Sequence, residues 1–229
     1  MVTVPAAGAP ADFVGTTIVL VGDFDPMQVQ PSILLAAGLL GEDDLADLRY
    51  EVLAPEISVL KLPWMELIVE PSKLTAATTM GNPVGELVRD FVVGFCNMIP
   101  VKKLTAMGLN HDTHFGVSSE EAWHRVGDKL APKDELWRKI LRAPGMRSLT
   151  IKGERDSALP GYVNVKVEPS LRIQPGIYIN VNDHFAKAQL QPGSPLEPLG
   201  EPAQLVGLGW SESQRRSDDI VAAIKGLVS

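Results

Sequence analysis

The chain has 229 residues, 45% of them hydrophobic and 21% charged, a balance that excludes wholesale disorder and is enough for one large core. Its net charge of −7 argues against nucleic acid as a partner, because such binding depends on a basic surface that displaces counterions. A single cysteine, Cys96, excludes an intrachain disulfide and fits a reducing cytoplasm.

Residues 1–12 have neither the basic region nor the apolar core of a secretory leader, so they read as a flexible tail before one domain over 13–229. The longest apolar run, Ile33 to Leu40, is too short to span a bilayer. A soluble, cytoplasmic protein without membrane contact is the expectation. Thr17 to Val21 reads as a buried strand closed by a turn at Gly22 to Pro26. Pro31 then suits the first turn of a core helix carrying Leu34, Leu35 and Leu40, with Gly41 as the left-handed residue beyond its end. Glu42 to Asp47 reads as a solvated connection. Ile57 to Leu62 and Met65 to Val69 are strands flanking Pro63-Trp64, the proline pointing to an edge or bulge, and Leu74 to Thr79 is another strand.

The clearest helix is opened by Asn82 as cap and Pro83, with Val84, Leu87, Val88, Phe91, Val92, Phe95 and Ile99 on one apolar stripe. Lys103 to Leu109 is a strand. Ser118 and Glu121 have the spacing of a capping box for a helix buried through Ala122, Trp123, Val126 and Leu130, and a further helix from Asp134 to Leu141 repeats the pattern with Leu136, Trp137 and Ile140. Arg147 to Lys152, Tyr162 to Val167 and a run after Pro175-Gly176 form a meander of strands. The proline-rich residues 191–202 are a surface connection, and 211–228 are a closing helix. The basic residues Arg138, Lys139, Arg142, Arg147 and Lys152, and later Arg215 and Arg216, read as solvated faces. These elements predict an α+β domain in which a mainly antiparallel sheet is covered by helices.

One pattern recurs. Asn110, Asp112, His114 and Phe115 are echoed 70 residues later by Asn180, Asn182, His184 and Phe185, each set following a strand-like run. Alternation along a strand puts the Asn, Asp and His side chains of each copy on one face, with Leu109 and Ile179 turned into the core. A second echo, Val69-Glu70-Pro71-Ser72 and Val167-Glu168-Pro169-Ser170, suggests a diverged internal duplication. The Gly108-Leu109-Asn110 strand end running on to His114-Phe115, with its late echo, resembles an uncharacterised, sporadically distributed group of small bacterial proteins. That resemblance covers most of the chain and implies a bacterial protein, but brings no activity or site residues with it.

For chemistry, His111, Asp112, His114, Asp183 and His184 are residue types that ligate transition metals. His111 and His114 face opposite sides of a strand, so a workable site needs Asp112 and His114 joined by His184 or by Asp23 or Asp25 from the early turn. Strand ends rich in such residues more often satisfy backbone groups, so a metal is not favoured. Asp23 and Asp25 read as turn chemistry, and Cys96, within the amphipathic helix, as a small hydrophobe. Gly207-Leu208-Gly209 offers only a partial phosphate-binding pattern and reads as a tight turn. The sequence thus points to a non-catalytic partner-binding or scaffolding subunit, with a protein partner or a second copy bound through Asn110, Asp112, His114, Asn180, Asn182 and His184. The alternative is a metal-dependent hydrolase built on the same residues.

Overall fold

The computed structural model describes residues 12–99, 101–133, 135–155, 159–186 and 199–228. Its strands are β1 (Phe13–Asp23), β2 (Arg49–Ala54), β3 (Ile57–Leu62), β4 (Met65–Glu70), β5 (Lys73–Thr78), β6 (Lys102–Gly116), β7 (Leu149–Glu154), β8 (Gly161–Pro169) and β9 (Gly176–Ala186). All pair antiparallel in one sheet, in the order β2-β3-β4-β5-β1-β6-β9-β8-β7. Among the described residues six α-helices accompany it: α1 (Pro31–Ala36), α2 (Glu42–Asp47), α3 (Val84–Met98), α4 (Glu120–Leu130), α5 (Glu135–Ile140) and α6 (Pro202–Lys225). The α+β class read from the sequence is the observed one, and the meander is β7-β8-β9. No helix among the described residues is long and apolar enough to cross a membrane.

Alternation decides the two faces of the sheet. Ile18, Leu20, Leu67, Leu74, Met107, Leu109, Ile179 and Phe185 are fully buried toward the helices, while Thr17, Thr75, Asn110, Asp112, Asn180 and Asn182 are part-exposed on the other face. Helix α3 packs over β5 and β1 through Val88, Phe91, Val92 and Phe95, and α6 lies beside it over β6 and β9. A second apolar cluster joins Val126 of α4 and Ile224 of α6 to Phe115, Val163, Ile177 and Val181. Helix α6 therefore spans both cores, and at 24 residues it is about 36 Å long.

Several expectations change. The polar motifs end their strands, Phe115 and Phe185 standing one residue before the last of β6 and β9, but they lie within the strands and do not follow them, so the strand read to Leu109 runs on to Gly116. Gly38, at φ 69°, is the left-handed residue after α1, whereas Gly41 opens α2, the acidic stretch that read as a connection. Strand β2 takes the sheet edge and Pro63 sits in the β3–β4 turn. Helix α3 starts one residue later than expected, after a cis Asn82-Pro83 peptide, and Leu87 at its flank is 51% exposed. Ser119, not Ser118, caps α4, its hydroxyl accepting from Ala122 N at 3.2 Å. Leu136, Trp137 and Ile140 of α5 are exposed, because an amphipathic pattern specifies an apolar face and not what covers it.

The largest correction concerns the C-terminal helix, which begins at Pro202 and contains Gly207 and Gly209 in its body. No turn or anion-binding loop exists there. Gly209 is a contact residue: a Cβ at that position would stand 2.9 Å from the Phe185 ring, so its absence lets α6 approach β9. Most of the proline-rich connection, 191–198, lies outside the described residues, and Leu199 beyond it donates its N–H to Leu104 O at 2.7 Å.

Candidate functional site

The two motif copies lie side by side. Strands β6 and β9 pair so that Asn110 faces Asn182, His111 faces Val181 and Asp112 faces Asn180. Because 181 − 111 equals the 70-residue offset between the copies, they meet around a local two-fold centred on the His111 and Val181 pair. The register makes a ladder on the open face: Asn182 Nδ2 donates to Asn110 Oδ1 at 2.6 Å, Asn180 Nδ2 to Asp112 Oδ1 at 2.9 Å, and Asn110 Nδ2 to Thr17 O at 3.2 Å. The second echo does not follow this symmetry. The Val-Glu-Pro-Ser segments end β4 and β8, whereas the counterpart of β8 about that axis is β1, so the duplication is not carried through the fold.

At one end of this face a cavity of about 410 Å³ is lined by Phe13, Asp112, His114, Leu171, Arg172 and Tyr178, among others. It forms where β1 outruns β5: Thr16 faces Thr78, and Phe13 to Gly15 continue beyond with β6 as their strand partner among the described residues. Tyr178 OH donates to Asp112 Oδ1 at 2.5 Å, and its ring stacks on His114 with centroids 4.6 Å apart. Burial and then the Asp112 carboxylate push the Tyr178 hydroxyl pKa up, so it stays a donor. His114 Nδ1 lies 2.9 Å from Ser170 Oγ, which accepts from Arg172 N at 3.1 Å and from Ile173 N at 3.0 Å. With both lone pairs occupied, Ser170 donates its proton to Nδ1, so neutral His114 carries its hydrogen on Nε2. Burial, then the charge of Arg172, lowers the His114 pKa.

The helix-covered side of the same strands holds a network the sequence reading missed. Asp183, fully buried, pairs with Arg155 and, at 2.7 Å, with Arg216, which also reaches Glu212 at 2.5 Å. Arg155 lies over the Phe185 ring, 3.7 Å from its centroid. The available signal was parity: Asp183 sits between the outward-facing Asn182 and His184, so its side chain points inward, and a buried carboxylate must be paired. His111 shares this side, 3.0 Å from Ser213 Oγ and edge-on to Trp210.

The histidines of the two copies are far apart. His114 faces Tyr178, and His184 lies six residues further along β9, a separation of roughly 20 Å at strand rise. His184 instead stacks on Tyr162 with centroids 4.5 Å apart. Asp23 faces Lys102, at the opposite end of β1 from the Phe13 that faces His114, and Asp25 caps the turn after β1 by accepting from Met27 N at 2.9 Å. The ligand set Asp112, His114 and His184, with Asp23 or Asp25, is therefore not assembled, and no other group of three or more His, Cys, Asp or Glu side chains is gathered for a metal among the described residues. Cys96 is buried in α3, and burial pushes its thiol pKa up to about 12, so it is no nucleophile. No protein-family model matches the sequence, and comparison with curated proteins finds no match.

Proposed function

We propose that the chain is a non-catalytic recognition protein that binds a protein partner at the cleft between Phe13, His114, Tyr178 and Leu171. Leu171 carries this reading: it is 91% exposed on the β8–β9 connection and borders both this cleft and a second cavity of about 660 Å³ reaching Trp137 and Leu141. Phe13, Trp137 and Leu141 are each about half exposed, so apolar anchors surround a preorganised polar centre. Such grouping of exposed aromatic and aliphatic side chains with an arginine and a tyrosine is the composition of an interface core. The polar groups support recognition over catalysis because they are committed to each other: Asp112 accepts from Tyr178 and Asn180, and His114 Nδ1 accepts from Ser170.

The test uses the tagged full chain in its native cells. Leu171→Asp should keep the parent melting temperature and release a co-purifying protein that the parent retains in stoichiometric amount. A parent that elutes from gentle extracts as the free chain, or a Leu171→Asp variant that retains the same protein, would count against the reading.

A further inference from the structure

The charge of this protein is divided along its sheet. Residues 41–70, which include α2 and the edge strand β2, contain eight acidic and two basic residues, a net of −6. Residues 131–172, which include α5 and the opposite edge strand β7, contain nine basic and five acidic residues, a net of +4 in a chain whose total is −7, one of the nine, Arg155, being buried against Asp183. These segments lie at opposite ends of the strand order. Eight inter-strand spacings separate the edges by about 38 Å, several Debye lengths at physiological salt, so each pole acts as a separate patch.

Both poles also present strand edges that meet no further strand among the described residues, together with apolar side chains. Strands β2 and β7 are six residues each, and each has one neighbour in the sheet. Val52 and Leu53 on β2, Leu45 on α2, Ile151 on β7 and Leu136 and Ile140 on α5 are all exposed. Free edges of this kind are templates for pairing with another chain.

We infer that copies of this chain associate head to tail, the acidic β2 and α2 edge of one against the basic β7 and α5 edge of the next. Charge decides the geometry: a two-fold contact between like edges would bring two basic or two acidic poles together, whereas the heterologous contact joins opposite ones. Lys152 on β7 and the register shift near Glu51 in β2 tune the edges against indiscriminate pairing, and the complementary charges select the partner. The basic edge adjoins the recognition surface, because Arg147 lines the cavity that reaches Trp137, Leu141 and Leu171, but the acidic edge lies at the far end of the strand order, so the reversal at the acidic pole tests the association apart from the recognition proposed there.

Sedimentation of the purified full chain over a concentration series tests this. At low salt the weight-average mass should rise with concentration, and 0.5 M salt, chosen to shorten the Debye length to about 4 Å, should return it to the monomer. Two charge-reversed variants, E42K/D43K/D47K at the acidic pole and R142E/R147E/K152E at the basic pole, change exposed side chains. Each alone should lower the association constant at least tenfold. Mixed in equal amounts they should associate again, because each then meets a complementary edge. A parent that stays monomeric throughout, a dimer indifferent to either reversal, or variants that fail to complement one another would each overturn the inference; unchanged far-ultraviolet circular dichroism of both variants verifies that the fold is intact.

Discussion

Ser170 Oγ and His114 Nδ1, 56 residues apart in sequence, lie 2.9 Å apart and join the β8–β9 connection to the middle of the sheet. The serine belongs to one sequence echo and the histidine to the other, a cross-link that neither pattern announces. Because two backbone N–H groups already occupy the serine oxygen, nitrogen chemical shifts of the imidazole should show His114 with its hydrogen on Nε2. Ser170→Ala removes a bond made to the neutral ring and should raise the His114 pKa. A wild-type ring protonated on Nδ1, or an unmoved titration in the variant, would contradict the assignment.

Gly207 and Gly209 sit two residues apart in α6 and should respond to alanine in opposite directions. Nothing stands within 4 Å of a Cβ at Gly207, so Gly207→Ala should stabilise by up to about 1 kcal/mol through helix propensity. At Gly209 the added methyl meets the Phe185 ring, and Gly209→Ala should destabilise by about 1 to 3 kcal/mol through overpacking. Urea unfolding of both variants measures the difference, and equal shifts would contradict the packing of α6 on β9.

On α3, Phe95 is 1% exposed and Leu87 is 51% exposed. Phe95→Ala should cost about 3 to 5 kcal/mol, as truncations of buried aromatics do. Leu87→Ala should stay within about 0.5 kcal/mol of the parent in the same unfolding assay. Comparable losses at the two sites would mean that the helix is rotated about its axis.

Much of this architecture was legible in period and punctuation. The stripe Val88, Phe91, Val92 and Phe95 fixed α3, and alternation placed Leu109 and Ile179 in the core and His111 opposite His114. What was not legible depended on partners distant in sequence. The exposure of Trp137 turns on whether a strand lies beneath α5, and the Asp183 network needs Arg155 and Arg216 from two other segments. Gly209 looked like a turn because the ring that requires its small size is 24 residues upstream. Within the site, residue types and faces were readable, but the antiparallel register that joins Asn110 to Asn182 while separating His114 from His184 was not.

His111 should make stability depend on pH. Burial lowers its folded-state pKa below the ordinary 6.5, against the opposing pull of Asp183, Asp218 and Asp112. As pH falls below about 6.5 the unfolded chain takes up the proton before the folded one, so the stability present above that pH is lost on acidification. Urea midpoints at pH 7.5, 6.5 and 5.5 should fall for the parent and fall less for His111→Gln. Parallel declines would show that His111 does not carry the effect.

The most direct measurement of the recognition reading is site-specific photo-crosslinking in the native cells. A photoreactive amino acid replaces Leu171 at the cleft in one experiment and Leu208, 61% exposed on α6, in a control. The account predicts one dominant covalent adduct with a different protein at position 171 and none at 208. Absence of an adduct at 171 in the folded chain, or the same adducts at both positions, would contradict it.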